Sequence, residues 1–323
     1  MSSNAVPSYL FAVALRSWRL FITVTKIMLP VMVVVQIAQE FGLVDLVGQF
    51  IAPAMALLNL PPEAGIIWAT TLLTGIYGGI ASLSGLAGTL DMTAGQFSAL
   101  CAMMLIAHSI PVEQAIVRKA GAGFGVTSLL RIGTAAVYGA AVSWACYLTG
   151  ALADPISFEW LRGSSVAAGG ASAGYLGWIQ ATAFSLALTY IIILALVLVL
   201  DGMDRLGMTR RITRALTPVL RVSGLDPDVA PVTTVGVLLG LTYGGALIIE
   251  EAAKQNFSAR TRFLALSWLS LSHSLIEDTL LMVALGADIW IVLVGRVAIT
   301  LAIVAILARV TRRGQGTEAP VAA

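Results

Sequence analysis

Charge is scarce in this sequence. Asp, Glu, Lys and Arg make up 11% of its 323 residues, against about 25% in a soluble domain. So few charges cannot coat a water-facing globule. The 58% hydrophobic content and the long apolar runs indicate an all-α polytopic membrane protein instead. Cysteine is almost absent too. Cys101 and Cys146 fall in apolar helical runs without metal-type spacing, which excludes a disulfide framework or thiolate centre and leaves two small buried residues. Nucleotide-binding loops and HExxH, CxxC and GxSxG motifs are missing, and no nucleophile–base set is visible. No enzyme, cofactor or nucleic-acid partner is therefore expected. Neither is a cleavable signal peptide, since the first apolar segment begins near Leu20 with no small-residue cleavage site after a short core.

Histidine is as rare as cysteine, and its two copies occupy matching places in an internal repeat. His108 lies in LIAHSIPVE and His273 in LSLSHSLIED, 165 residues apart. The same offset pairs Pro53 with Pro218, Leu60 with Leu225, Pro62 with Pro227, Gly75 with Gly240, Gly121 with Gly286 and Arg131 with Arg296. Tyr77-Gly78-Gly79 matches Tyr243-Gly244-Gly245 at 166, a slip corrected before Asp91 and Asn256. Polar residues kept in register inside so apolar a chain suggest a pseudosymmetric membrane protein with one site between its halves.

Each unit reads in the same order. Unit one spans residues 1–150 and unit two 174–313, joined by an external linker loop at 151–173 and followed by a short, polar, disordered tail at 314–323. An apolar crossing (Leu20 to Gln39; Gly174 to Leu200) leads to an amphipathic interfacial helix (Phe41 to Leu60; Asp204 to Arg221). A glycine-rich segment follows (Glu63 to Asp91; Val229 to Asn256). It is read as a re-entrant hairpin with its tip at Tyr77-Gly78-Gly79 or Tyr243-Gly244-Gly245. Thr93 and Ser258 then cap helices interrupted near His108 and His273, the first by Pro111. A last crossing closes each unit (Ala122 to Gly150; Ile289 to Ala308).

Three crossings per unit, six in all, make the second unit inverted. With both termini inside a bacterial-type inner membrane, 15 of the 19 basic residues fall on the inner side, Arg162 alone outside, and Lys26, Arg131 and Arg296 within spans. Cytoplasmic loops are Lys/Arg-rich, so this topology fits. Counting each hairpin as a full span would set Lys254, Arg260 and Arg262 opposite the Arg205 to Arg221 cluster. The interfacial helices agree: the first carries Asp45 and no basic residue, its partner Arg205, Arg210, Arg211 and Arg214.

The element order, the Tyr-Gly-Gly tips and the two His-Ser breaks resemble the Gate, or nucleoside-recognition, domain family. That family includes the core of concentrative nucleoside transporters, the membrane part of ferrous-iron transporters and the spore-maturation membrane proteins. The resemblance covers roughly residues 40 to 150 and 204 to 310, and it implies repeats of interfacial helix, re-entrant hairpin, broken helix and full helix. The chain departs from the family's substrate signatures. Its tips, IYGGIASLSG and TYGGALIIEE, lack a Gln/Glu-rich pattern, its breaks carry no cysteine, and no GTPase domain is present.

Candidate site residues follow from cost. Polar groups at membrane depth are expensive and mostly functional. His108 and His273, beside Ser109 and Ser274, can ligate a metal or accept a proton. Glu113, Glu277 and Asp278 supply carboxylates. His273 and Glu277 are four apart and share a face if the helix continues, which makes His108, His273 and Glu277 the candidate metal set. Glu250 and Glu251 suit a coupling cation or a proton. Arg131 and Arg296 sit about nine residues into their helices and need ion-pair or carbonyl partners. The tips Tyr77-Gly78-Gly79 and Tyr243-Gly244-Gly245 would aim backbone dipoles and a hydroxyl at a ligand. The leading expectation is a secondary transporter of a small polar solute or cation, working by alternating access at a midplane site. The histidines and carboxylates favour a divalent metal or proton-coupled ion. The alternatives are a nucleoside or nucleobase transporter and a non-transporting membrane partner of the spore-maturation type. Expected partners are the bilayer, the solute or ion, and a homo-oligomer or another membrane protein.

Overall fold

The computed structural model describes residues 5–162, 174–225, 229–239 and 257–313. Regular structure among them is helical, apart from an isolated bridge between Thr93 and Pro155. The helices are α1 (Ala5–Glu40), α2 (Leu43–Leu57), α3 (Pro62–Thr74), α4 (Ile76–Leu86), α5 (Ala94–Ile106), α6 (Ile110–Lys119), α7 (Phe124–Thr149), α8 (Glu159–Arg162), α9 (Gly174–Arg205), α10 (Met208–Val222), α11 (Ala230–Leu239), α12 (Ala259–Ser272), α13 (Glu277–Ala284) and α14 (Arg296–Arg313). A π-helical turn, Trp290–Gly295, leads into α14.

Among the described residues, five helical stretches are long and apolar enough to cross a bilayer: Phe11–Ala38, Ala94–Lys119, Phe124–Thr149, Tyr175–Met203 and Trp290–Thr311. Their outward faces carry exposed Val34, Leu129, Val137, Ile191 and Ile306, which water would not tolerate in such number but lipid does. The chain is a multi-pass membrane protein. The sequence predicts six crossings. The missing one, at α12 and α13, is divided into pieces of 14 and 8 residues, with Arg260 and Arg262 opening the first and Glu277 and Asp278 the second. A sixth is reached only if Gln49–Leu57 and Pro62–Thr74, bent by 93°, count as one span. That bend sits at Pro61-Pro62, where Pro61 is extended and Pro62 opens α3.

The glycine-rich segment breaks earlier than its glycines suggest. α3 and α4 pack against each other and join at Gly75, at φ 97° and ψ 179°, a conformation only glycine adopts readily. Tyr77, Gly78 and Gly79 are not an unwound tip: they form the first turn of α4. Thr70, Thr71 and Thr74 turn their hydroxyls back onto the carbonyls of Ile66, Ile67 and Thr70 at 2.8–2.9 Å, which bends a helix end. Gly78 and Gly79 serve packing instead, since a Cβ on Gly79 would strike Thr71 Oγ1 and lie 2.7 Å from Met104 Cε.

The core is α5, buried along nearly its whole length and packed on α7 and α12. α12 is the centre of a second cluster, with Trp268 donating to Ser223 Oγ at 2.6 Å. Both helices start alike. Thr93 and Gln96 form a capping box, and Ser258 Oγ accepts from Thr261 N at 3.0 Å. The segment 151–162 is more than a loop. Phe158 and Leu161 are buried, and the carbonyls of Leu152 and Asp154 accept from Gly95 N and Ala94 N at 2.9 Å. Residues 163–173 and the tail at 314–323 lie outside the described residues. Thr93→Ala should lower stability by about 1 kcal/mol. A thermal melt in detergent checks this, with Thr93→Ser holding near wild type.

Candidate functional site

The site is built where two helices break. α5 ends at Ile106, Ala107 is extended, and Ser109 takes φ 44° before α6 begins. α12 ends at Ser272, His273 is extended, and Ser274 takes φ 49° before α13. Positive φ in a residue with a side chain costs about 1–3 kcal/mol, and here it recurs at equivalent serines. The bends are held by backbone bonds: Ser109 N donates to Thr71 O at 3.0 Å and Leu275 N to Val237 O at 3.0 Å.

A broken helix leaves carbonyls unpaired at its C-terminus, a zone of partial negative charge. The two buried arginines fill it. Arg131 Nε donates to Ile106 O at 2.8 Å, and Arg296 Nε to Leu271 O at 3.0 Å. Arg296 Nη2 also donates to His273 O at 3.0 Å and, across to the other broken helix, to Leu105 O at 2.9 Å. Arg131 Nη1 makes its second bond to Glu113 Oε2, from the first turn of α6.

The two histidines meet. Nε2 of His108 and Nε2 of His273 are 2.9 Å apart, with ring centroids 4.8 Å apart. Each Nδ1 faces a carbonyl of its own helix, four residues back: Met104 O at 2.9 Å and Leu269 O at 2.8 Å. Glu113 Oε1 stands 3.1 Å from Nε2 of His108 and 3.2 Å from Nε2 of His273. Asp278, in the first turn of α13, brings a carboxylate oxygen within 4.8 Å of ring nitrogens of both histidines. Both rings are buried, at 5% and 2% exposure.

The structure thus gathers His108, His273, Glu113, Asp278, Arg131 and Arg296 around the two breaks. Ser109 sits against Gly75, where an added Cβ would come within 2.5 Å of its Oγ; Ser274 is the matching half-buried bend. Glu277 is exposed, because the helix does not continue from His273 to it. Tyr77 lines a cavity of about 10 Å³ with Ser84, Thr189 and Leu281, room for about one water. Gly78 and Gly79 are buried in α4. Tyr243, Gly244, Gly245, Glu250 and Glu251 lie outside the described residues. One correspondence escapes a reading of local spacing: Glu113 and Asp278 are themselves 165 apart. The repeat register carried that signal.

Residues 21–123 match the Gate family, described as nucleoside recognition. The matched stretch includes the first helix break and its histidine, His108, and ends before Arg131. The chain is also similar to the uncharacterized membrane protein YvoD of Bacillus subtilis (strain 168), at 27% identity over 285 residues, 85% of this chain and 86% of that protein. No solved structure matches it.

Proposed function

We propose that this Gate-domain membrane protein is a secondary transporter of a small polar solute or cation, working by alternating access at the junction of its two broken helices. One observation carries the reading: two helix interruptions 165 residues apart in sequence converge on one histidine–carboxylate cluster. Transporters built from internal repeats bind at such discontinuous helices, between the repeats. The units, 1–150 and 174–313, are read as inverted, each with a hairpin that enters and leaves on one side. The distribution of Lys and Arg favours that topology, with both termini on the cytoplasmic side of an inner membrane. The broken helices then point in opposite senses, and rocking one unit against the other opens the cluster first to one side and then to the other. The cluster is read as a binding site without chemistry of its own.

The test is uptake by the purified full-length chain in proteoliposomes, across a panel of divalent metals, monovalent cations and nucleosides. We expect at least one solute to enter well above the empty-liposome rate. Rates equal to empty liposomes for the whole panel would overturn the reading and favour a non-transporting partner of another membrane protein.

A further inference from the structure

Resting on the transport reading above, the geometry of the cluster assigns a class of ligand. A backbone carbonyl only accepts, so Nδ1 of His108, against Met104 O, and Nδ1 of His273, against Leu269 O, both carry hydrogen. Each Nε2 is then left with a lone pair. Those lone pairs face each other at 2.9 Å, and a third acceptor, Glu113 Oε1, closes a triangle with sides of 3.1 and 3.2 Å. Three facing electron-pair donors repel unless something positive lies between them, either a proton on one ring or a metal ion against all three. Arg131 spends Nη1 and Nε on the other oxygen of Glu113 and on Ile106 O, and its remaining Nη2 hydrogen-bonds neither Nε2 nor Oε1. Arg296 spends Nε and Nη2 on three carbonyls, and its remaining Nη1 hydrogen-bonds none of the three donors.

We propose that Nε2 of His108, Nε2 of His273 and Oε1 of Glu113, with Asp278 as fourth donor, bind a divalent transition-metal ion of the Zn²⁺, Co²⁺ or Fe²⁺ type, and that this ion is the solute. Two imidazoles with carboxylates suit these ions, whereas Mg²⁺ and Ca²⁺ take oxygen ligands. The absence of a thiolate at either break sets Cu⁺ aside. A metal-bound histidine normally passes its other ring N–H to a carbonyl or carboxylate, which fixes the tautomer and the ring plane. Both histidines do so from the same position of their own helices. A four-coordinate ion with bonds of roughly 2.0–2.1 Å holds its ligands about 3.3 Å apart. The triangle is therefore within a few tenths of an ångström of fitting, and Asp278, with a carboxylate oxygen within 4.8 Å of a ring nitrogen of each histidine, would move inward to complete the set. The ligand set differs from that expected from spacing, since Glu113 and Asp278 take the place of Glu277.

The experiment is a Co²⁺ titration of the tag-free, full-length chain in detergent, followed by visible absorption. The wild type should develop the intense bands of four-coordinate cobalt, saturating at a single equivalent and bleached by Zn²⁺. His108→Ala and His273→Ala should lose the bands, and Glu113→Gln should weaken Co²⁺ at least tenfold. Asp91→Asn, at an exposed carboxylate, should bind as wild type. If an alanine variant fails to melt cooperatively, His273→Gln replaces it and must also lose the bands. A wild type that develops no cobalt bands, or bands that persist in both histidine variants, would overturn the site. The two readings fail separately. Cobalt binding without uptake of any metal by proteoliposomes leaves the site and ends the transport reading. Uptake of a nucleoside without cobalt binding does the reverse.

Discussion

Arg131→Met is expected to lower stability by about 3–5 kcal/mol, the usual result of removing one partner of a buried ion pair. The side chain is fully buried and serves two groups at once, the Glu113 carboxylate and the Ile106 carbonyl that ends α5. Methionine nearly matches its length but supplies neither charge nor donor, so Glu113 is left as an uncompensated buried charge. Lysine would not rescue fully, because one ammonium cannot reproduce the planar fork that reaches both acceptors. Thermal melts in detergent give the loss. A double-mutant cycle with Glu113→Gln separates the charge component: Arg131→Met should cost clearly less in the Glu113→Gln background. A cost unchanged by Glu113→Gln would mean that the carbonyl bond, not the ion pair, holds the helix break. Arg296→Met should be comparably damaging by another route, since it leaves up to three carbonyls without their donor, at about 1–3 kcal/mol for each group stranded away from water.

The second large effect is on transport. His273→Ala should bring uptake down to the empty-liposome rate, and Glu113→Gln should reduce it at least tenfold, while both proteins still melt cooperatively. Asp278→Asn should lose more uptake than Glu277→Gln, because Asp278 approaches the rings whereas Glu277 is exposed and outside the cluster. Full uptake in His273→Ala would remove the histidine junction from the transport path. A larger loss in Glu277→Gln than in Asp278→Asn would show that α13 presents its other face during the cycle.

The repeat was the most legible part of the chain. Its register predicts caps at Thr93 and Ser258, breaks at His108 and His273, and arginines in equivalent helices, and the structure has each of them. What local pattern cannot supply is direction. Glu113 lies five residues past His108 across a proline, and its facing is set by the left-handed turn at Ser109, which no period describes. The four-residue spacing of His273 and Glu277 presumes a continuous helix, and Ser274 breaks it. The glycines at 78 and 79 draw attention as a tip, yet the bend is fixed at Gly75, and Thr71, four residues earlier, offers its carbonyl both to Gly75 N and to Ser109 N at the distant helix break. The count of crossings differs for a similar reason: hydropathy registers an apolar stretch, while a break in mid-stretch depends on partners elsewhere in the fold.

The two carboxylates at the junction differ by one methylene. Glu113 is long enough to stand within hydrogen-bond range of both rings, whereas Asp278, on the equivalent turn of the other helix, comes only within 4.8 Å. Two inverted units of identical sequence would give inward-open and outward-open states of equal energy, and so equal occupancy. Under the proposed cycle, this methylene is one of the differences between the units that break that equality, and the one that lies at the junction itself. The arrangement in which the longer arm grips the histidines is then expected to be favoured, and exchanging the two residue types (Glu113→Asp with Asp278→Glu) should shift the balance the other way.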